Sequence, residues 1–408
     1  MDAFGSVSAT STAWVRDSVF APFIPAYIDY LTARQYAPRT IRAYVDCVAH
    51  FARWGRRRRL ELGDLDVALK CFVQGHLPRC DCARRVPKCP HQVRAALSHL
   101  PAVLASHGVT AVARPIEPNG IALRRFDEHL LQVRGLAAST RHRRVKIIES
   151  LIRHTSSAMP DASQLRQFIA AELARVSAAS GASLAGALRS YLRFRAFEGE
   201  RVEHLLPVIA SPAHWRLAPL PQTLSMAELD RLLGAFPPDL PSRLRAFAIV
   251  RCLVDLGLRS SEAVNLNLDD IDWAAGTLCI ARGKSRGADV LPLPESTGRA
   301  IAEYLRSERP VSTSRRVFVR HVAPADQPVG ADVARNTVRA AYLRAGLPHT
   351  RVHILRHTLA SRLLATGGTL KEVADVLRHR ELNTSMIYAK VDRAHLAAVA
   401  MPWPRSAA

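Results

Sequence analysis

The 408 residues carry 57 Lys plus Arg against 35 Asp plus Glu, a formal net charge of +22, with 48% hydrophobic side chains. That balance fills two or three globular domains and excludes a chain disordered throughout. The most apolar stretch, Leu244 to Leu258, is broken by Arg251 and Asp255, short of the ~20 apolar residues a membrane span needs, and seven cysteines over this length do not make a disulfide scaffold.

In chain order, Ala26 to Arg34 reads as a helix, Tyr36-Ala37-Pro38 as a turn, and Arg39 to Trp54 as a second helix. In the second helix Ile41, Tyr44, Val45, Val48 and Phe51 recur at helical spacing. The pattern returns 100 residues later: Leu31, Arg34, Ala37, Thr40, Val45 and Arg53 match Leu131, Arg134, Ala137, Thr140, Val145 and Arg153. Thr40 and Ser139/Thr140 are the expected helix caps. They stand beside Arg39, Arg42, Arg141, Arg143 and Arg144, an arrangement suited to phosphate contacts as well as to a solvated basic face. Between the copies, His76, Cys80, Cys82, Cys89 and His91 crowd into one short stretch. The expected ligand set for a structural zinc is Cys80, Cys82, Cys89 and His91, with His76 as a spare; the alternative is free thiols on a basic loop.

Helices follow at Gln164 to Val176 and Ser183 to Phe197, then a proline-rich linker over Pro207 to Pro221. Ser225 and Glu228 form a capping box that opens a new domain. There Thr277 to Ala281 and Asp289 to Leu293 read as a strand pair joined by the loop 282–287, and Thr369 with Glu372 is a second capping box. The remainder reads as helices, including Ser242 to Leu256 and Ile354 to Thr366. The expected fold is thus mainly α, with a small β-hairpin sheet in the last domain. The expected domains are 1–110, 111–206, a linker 207–222, and 223–408.

The charge excess, with a pI near 10.7, calls for a polyanion partner. Of the 57 cations only six are lysine, and arginine binds phosphate bidentately. Neither a basic amphipathic helix nor a lipidation site points to a membrane surface, so double-stranded DNA is the expected partner. Four His-x-x-Arg pairs occur, at His50, His76, His91 and His353, but only His353/Arg356 is followed by a second histidine, His379, and then by Tyr388 nine residues on.

With Leu258-Arg259-Ser260-Ser261-Glu262 and Gly283-Lys284 upstream, this order resembles the tyrosine recombinases, the phage integrases, over about 170 residues. The helical hairpins resemble the family's core-binding domains more loosely, and two copies stand where most members carry one. The second copy, contiguous with the linker, is the one expected to clamp DNA. The resemblance implies helical N-terminal DNA-binding domains, an α+β catalytic domain and a site-specific recombinase of a mobile element. Such an enzyme is expected to cut and rejoin DNA through a 3′-phosphotyrosyl intermediate, in integration, excision or transposition. It implies Arg259 and Arg356 on the phosphate oxygens, Tyr388 as nucleophile, and His353 as its proton acceptor or orienting partner. His379 is expected on a non-bridging oxygen and Lys284 as the proton donor to the leaving hydroxyl, with Arg286 competing with it as the loop's phosphate contact and a solvated turn as the alternative.

Arg259 has an alternative as an ordinary ion pair with Glu262 or Asp255, and His357 reads as structural. The reaction implies no cofactor for catalysis. A short helix over Asp392 to Ala400 implies a homotetramer in the synaptic complex and a monomer when free. The location expected is the cytoplasm, at the nucleoid, since the N-terminus shows no secretory signal. Two other functions share much of this chemistry: a topoisomerase-like nicking-closing enzyme, and a non-catalytic DNA-binding accessory or regulatory protein of a mobile element.

Overall fold

The computed structural model describes residues 9–82, 87–109, 118–210, 220–281, 288–325, 327–379 and 384–390. The chain divides into two compact units, Val112–Ala218 on the one hand and Met1–Ala111 with Pro219–Ala408 on the other. Helices dominate both, as the sequence pattern implies.

In the first stretch, α1 (Ala9–Arg16), α2 (Ile24–Ala33), α3 (Pro38–Arg56), α4 (Leu65–Cys71), α5 (Pro90–Leu97) and α6 (Leu100–Ser106) surround one hydrophobic core. Helix α3 is its centre: Val45, Cys47, Val48, Ala49, His50, Phe51, Ala52 and Trp54 are all buried. Phe51 packs on Phe20, Trp54 and Phe72 at ring separations of 5.2–5.8 Å, in tilted, stacked and edge-on arrangements respectively. Buried Tyr27 donates its hydroxyl to the Ala96 carbonyl at 2.8 Å, which meets the polar requirement of a buried phenol.

The second unit holds α7 (Pro118–Gln132), α8 (Ala138–Thr155), α9 (Ala162–Leu173) and α10 (Ala178–Phe197) around Phe126, Leu151, Phe168, Leu188 and Tyr191. The repeat read from the sequence is a repeat of backbone geometry. Gln35 and Gly135 take φ of 60° and 56°, and Ala37 and Ala137 cap the following helices at φ/ψ of −61/143 and −62/146. The glycine enters the left-handed region freely, whereas Gln35 carries a Cβ there at a cost of roughly 1 kcal/mol.

The expected caps Thr40 and Ser139/Thr140 lie within the first turn of these helices, two or three residues past the actual caps. In the first copy Pro38 is tolerated as the first helical residue because that position needs no N–H donor, and it drives Ala37 extended. Helix α10 starts at the Ser177 cap, earlier than the expected Ser183, since the small residues Ala178 to Ala182 give no periodic signal. The unit's core reaches Ile209, so the first residues of the expected linker are packed; 211–219 lie outside the described residues.

The third core is built by α11 (Met226–Leu233), α12 (Arg243–Asp255), α13 (Ser260–Val264), α14 (Glu295–Ser307), α15 (Ala331–Arg344) and α16 (His353–Ala365), followed by α17 (Leu370–Val376) and α18 (Met386–Ala389). A sheet in the order β1 (Ile271–Asp272), β2 (Thr277–Ala281), β3 (Ala288–Pro292) is antiparallel throughout, with Leu278 opposite Leu291. The hairpin matches its expectation within a residue; β1, two residues long, was too short to show in the sequence. Both expected capping boxes form, at Ser225/Glu228 and Thr369/Glu372.

Helix α12 is buried at Ala248, Ile249, Val250, Cys252, Leu253 and Val254, the signature of a helix enclosed by others. Within its buried stretch Arg251 and Asp255 neutralise one another, Arg251 Nε lying 3.0 Å from Asp255, whose carboxylate also accepts from Thr297 at 2.6 Å. Among the described residues no helix is long and apolar enough to cross a membrane.

Candidate active site

The site forms where three segments meet: the turn between α12 and α13, the start of α16, and the stretch from α17 to α18. The turn depends on Gly257. Its φ is +56°, and a Cβ there would stand 2.8 Å from Leu377 and 2.9 Å from Leu359, so a side chain meets both backbone strain and the core. This tight turn aims the Gly257 carbonyl at Arg356, which donates to it at 2.5 Å and to the Leu377 carbonyl with its other terminal nitrogen. Arg356 is 5% exposed. Its fixed guanidinium therefore ties the three segments together. Burial first, then Arg259 and Arg378, push its pKa down to about 10, still fully charged at neutral pH.

Arg259 stands at the head of α13. Its Nη1 donates to Glu262 at 2.5 Å, and the same carboxylate accepts from the Arg259 amide and from Arg378 at 2.8 Å. The ordinary ion pair weighed for Arg259 thus exists. Its partner is Glu262, not Asp255, and it leaves the arginine side chain 41% exposed. Burial pushes the Glu262 carboxyl up, but the Arg259 amide and the Arg378 charge outweigh it and hold the group below its ordinary value. Glu262 is an anionic strut between two arginines.

Tyr388 is 2% exposed and packs with Leu359, Leu364, Val373 and Leu377. Its hydroxyl lies 2.9 Å from His357 Nδ1. The His379 ring lies parallel to it, with centroids 6.4 Å apart, and His379 Nδ1 is anchored 2.6 Å from the buried Ser385 hydroxyl. Burial raises the Tyr388 pKa while Arg356 opposes the rise. All three histidines are held below the ordinary imidazole value. For His353, whose ring loses water to its neighbours although the residue is exposed at its surface, the causes are desolvation, then Arg356 and Arg259; for His357 they are burial, then His353 and Arg356. His379 is pushed down to about 4 by burial, Arg356 and Arg259. The rings are neutral at pH 7 and can accept protons.

Five expected residues, Arg259, His353, Arg356, His379 and Tyr388, are therefore brought into one electrostatic neighbourhood. One expectation is revised: the imidazole at the tyrosine hydroxyl belongs to His357, read as structural, while His353 sits exposed at the first residue of α16. The available signal was helical phase: His357 lies one residue after Arg356 and one turn after His353, on the side of α16 that bears the buried Leu364. Lys284 and Arg286 lie outside the described residues; the strands that carry their loop are paired up to Ala281 and Ala288.

Of the expected DNA contacts, Arg39, Arg42 and Arg143 are exposed. Arg141 is drawn toward Asp127 at 3.5 Å, and Arg144 donates to Ser190 at 2.9 Å. Of the expected metal ligands, Cys80 and Cys82 come together with His50 and His76; Cys89 and His91 are exposed and lie outside that group.

A tyrosine hydroxyl sealed against an imidazole, beside one buried and one half-exposed arginine, is equipment for attack on a phosphodiester. Comparison with known proteins agrees. Residues 222–395 match the phage integrase family. The protein called integrase/recombinase y4rA of Sinorhizobium fredii is 33% identical over 399 residues, covering 95% of each chain. The tyrosine recombinase XerC of Azotobacter vinelandii is 36% identical over 250 residues, 59% of this chain and 79% of that one. The crystal structure of the XerH site-specific recombinase on its palindromic difH substrate shares the fold, with a TM-score of 0.56 at 19% identity over 84% of this chain and 96% of that one. The chain belongs to the phage integrase family, the tyrosine recombinases. It is a DNA strand transferase that acts in site-specific recombination.

Proposed function

We propose that Tyr388 is the nucleophile and that the site performs strand transfer in the following way. The phenol oxygen attacks the scissile phosphorus, the 5′-oxygen leaves with a proton, and the DNA 3′-end stays esterified to Tyr388. One phosphate ester replaces another, so rejoining by a second 5′-hydroxyl needs neither a nucleotide nor a metal to balance. His357 takes the phenol proton; its Nδ1 is the acceptor the buried hydroxyl already faces. Arg259 and Arg356 stabilise the charge that grows on the non-bridging oxygens, with His353 and His379 completing the ring of donors. Arg259 reaches the phosphate by leaving Glu262, which then stays paired to Arg378. Lys284, on the β2–β3 loop, supplies the proton to the leaving oxygen, with Arg286 beside it on the backbone.

The observation that carries this reading is the 2.9 Å contact between Tyr388 and His357 next to a buried, permanently charged Arg356. The match of residues 222–395 to the phage integrase family disfavours a non-catalytic DNA binder. The test is a suicide substrate, nicked beside the cleavage position so that the released strand diffuses away. The protein should be trapped on it as a covalent adduct that is absent from Tyr388→Phe. An adduct in that variant, or none in the native chain on a cognate site, sinks the assignment.

The further setting also remains a proposal. The protein works on a mobile element, in the cytoplasm at the nucleoid, as an N-terminal domain 1–110, a second domain that runs from 111 to Ile209, and a catalytic domain 223–408 joined to it by the remainder of the linker. Arg39, Arg42, Arg141, Arg143 and Arg144 contact the DNA backbone. Four copies assemble on the synapse from free monomers, each docking its tail on a neighbour. Removing the residues after Arg393 should abolish recombination and spare cleavage at a single site; full recombination by the truncated chain would favour a nicking-closing monomer instead.

A further inference from the structure

Four side chains far from Tyr388 in the sequence share one spot in the first core. His50 lies deep in α3 and is fully buried. His76 ends a π-helical turn, Phe72–His76, and Cys80 follows a 3-10 turn, Leu77–Arg79. Cys82 comes two residues later. The Nε2 atoms of His50 and His76 are 3.2 Å apart, Cys80 Sγ is 3.5 Å from His50 Nε2, and Cys82 Sγ is 3.7 Å from His76 Nε2. All four donor atoms lie within 4.8 Å of one another.

These separations have a simple meaning. A zinc ion with bonds of about 2.05 Å to nitrogen and about 2.3 Å to sulfur, in tetrahedral angles, sets its ligands about 3.4 Å (N to N), about 3.6 Å (N to S) and about 3.8 Å (S to S) apart. The N–N separation of 3.2 Å and the two N–S separations of 3.5 and 3.7 Å fall within about 0.2 Å of those values, and the other pairs stay within 4.8 Å. The rings are also held for the task. His50 Nδ1 lies 3.1 Å from the Pro87 carbonyl; donation to that oxygen puts the proton on Nδ1 and leaves the Nε2 lone pair facing inward, the usual outer support of a metal-bound imidazole. Phe72 stacks on His76 at 5.2 Å and meets His50 edge-on at 5.0 Å, so both imidazoles are fixed by packing. Two neutral nitrogens and two thiols facing one another make poor hydrogen-bond partners, and they make a complete tetrahedral donor set.

We propose that His50, His76, Cys80 and Cys82 bind one zinc ion. On binding, the two thiols lose their protons to solvent. The resulting centre of Zn²⁺, two thiolates and two neutral imidazoles carries no net charge, which suits a partly buried place beside Arg53 and Lys88. Soft sulfur with imidazole in tetrahedral array selects zinc over magnesium or calcium. With four protein ligands no position is open for substrate, so the ion is structural. It fastens the loop that follows the π turn onto α3, the helix whose first two turns carry Arg39 and Arg42. Lys88 Nζ, donating to the Cys80 carbonyl at 3.0 Å, and Pro87 tie the returning limb of the loop to the same point. Cys89 and His91 take no part.

The experiment uses the untagged full-length chain from zinc-replete medium. Elemental analysis should find one zinc per chain. Replacement by Co²⁺ should give the intense d–d bands of a tetrahedral site and a thiolate-to-cobalt charge-transfer band. Cys82→Ser and His76→Asn should each lose more than nine-tenths of the metal, and the double variant Cys89→Ser/His91→Ala should keep it. The cobalt spectrum of the unaltered chain answers the question even if a ligand variant unfolds. A chain free of metal after refilling with zinc, an octahedral cobalt spectrum, full zinc in Cys82→Ser and His76→Asn, or loss of zinc from a folded Cys89→Ser/His91→Ala would each overturn the assignment.

Discussion

Two clusters of histidine in this protein show how neighbours decide what an imidazole does. At Tyr388 the rings of His353, His357 and His379 stand among Arg259, Arg356 and Arg378. At His50 the rings stand among thiols. Both sets of rings are partly withdrawn from water, and burial holds them neutral. The first cluster is surplus in fixed positive charge and suits an anion, the scissile phosphate. The second is surplus in lone pairs and suits a cation. The histidine is the same; the sign of what it faces comes from the residues packed around it.

The sharpest way to break this contrast is at the anion site. Arg356→Ala removes the charge and also the tie between the Gly257 and Leu377 carbonyls, so Arg356→Lys is the better probe. It keeps a charge but loses the fork, and trapping of the suicide substrate should slow by about 10²–10³-fold, the usual value of one fixed donor at a charged transition state. A rate within threefold of native would mean that the fork never reaches the phosphate.

His357→Ala is next, with a loss of about 10²-fold if the ring accepts the phenol proton. The pH profile sharpens it. His357 is held below the ordinary 6.5 by burial, His353 and Arg356, so it stays neutral and competent through pH 7. Cleavage should decline only at pH values below that ordinary point, as the ring takes a proton and stops accepting. The acid limb should be absent from the residual activity of His357→Ala; an unchanged limb assigns it elsewhere.

At the cation site the expected effect on chemistry is small and on stability larger. Stripping zinc with a chelator should lower the melting temperature, because an ion bound only by the folded chain stabilises it by mass action. Formation of the Tyr388 adduct on a short suicide substrate should change by less than about threefold, since a structural ion adds no transition-state contact. Loss of adduct in proportion to loss of zinc would mean that the two sites are coupled. The smallest effect expected is Ser225→Ala, which removes one side of the capping box at the head of α11 and should cost about 1 kcal/mol of stability, read from denaturant unfolding.

Much of this was legible in the chain itself. The 100-residue repeat is legible because a helical hairpin imposes the same turn chemistry wherever it occurs, and Gln35 and Gly135 share one backbone conformation despite different side chains. The β2–β3 hairpin and both capping boxes are local patterns, set by residues a few positions apart. The start of α10 escaped because small residues carry no periodicity, and β1 because two residues make no pattern at all.

By itself the sequence determined the reagents: an excess of arginine for a polyanion, a tyrosine and histidines at family spacing, and cysteines beside histidines in one short stretch. Only the tertiary structure decided the pairings. His357 rather than His353 faces Tyr388 because the phase of α16 and the packing of Leu359 and Leu377 choose which ring meets the incoming helix. His50 and His76 rather than Cys89 and His91 join Cys80 and Cys82 because burial of α3 carries a residue 30 positions away into contact with the sulfur. Spacing along a chain fixes neighbours within a helical turn or two; beyond that, neighbours are chosen by which apolar faces close on one another.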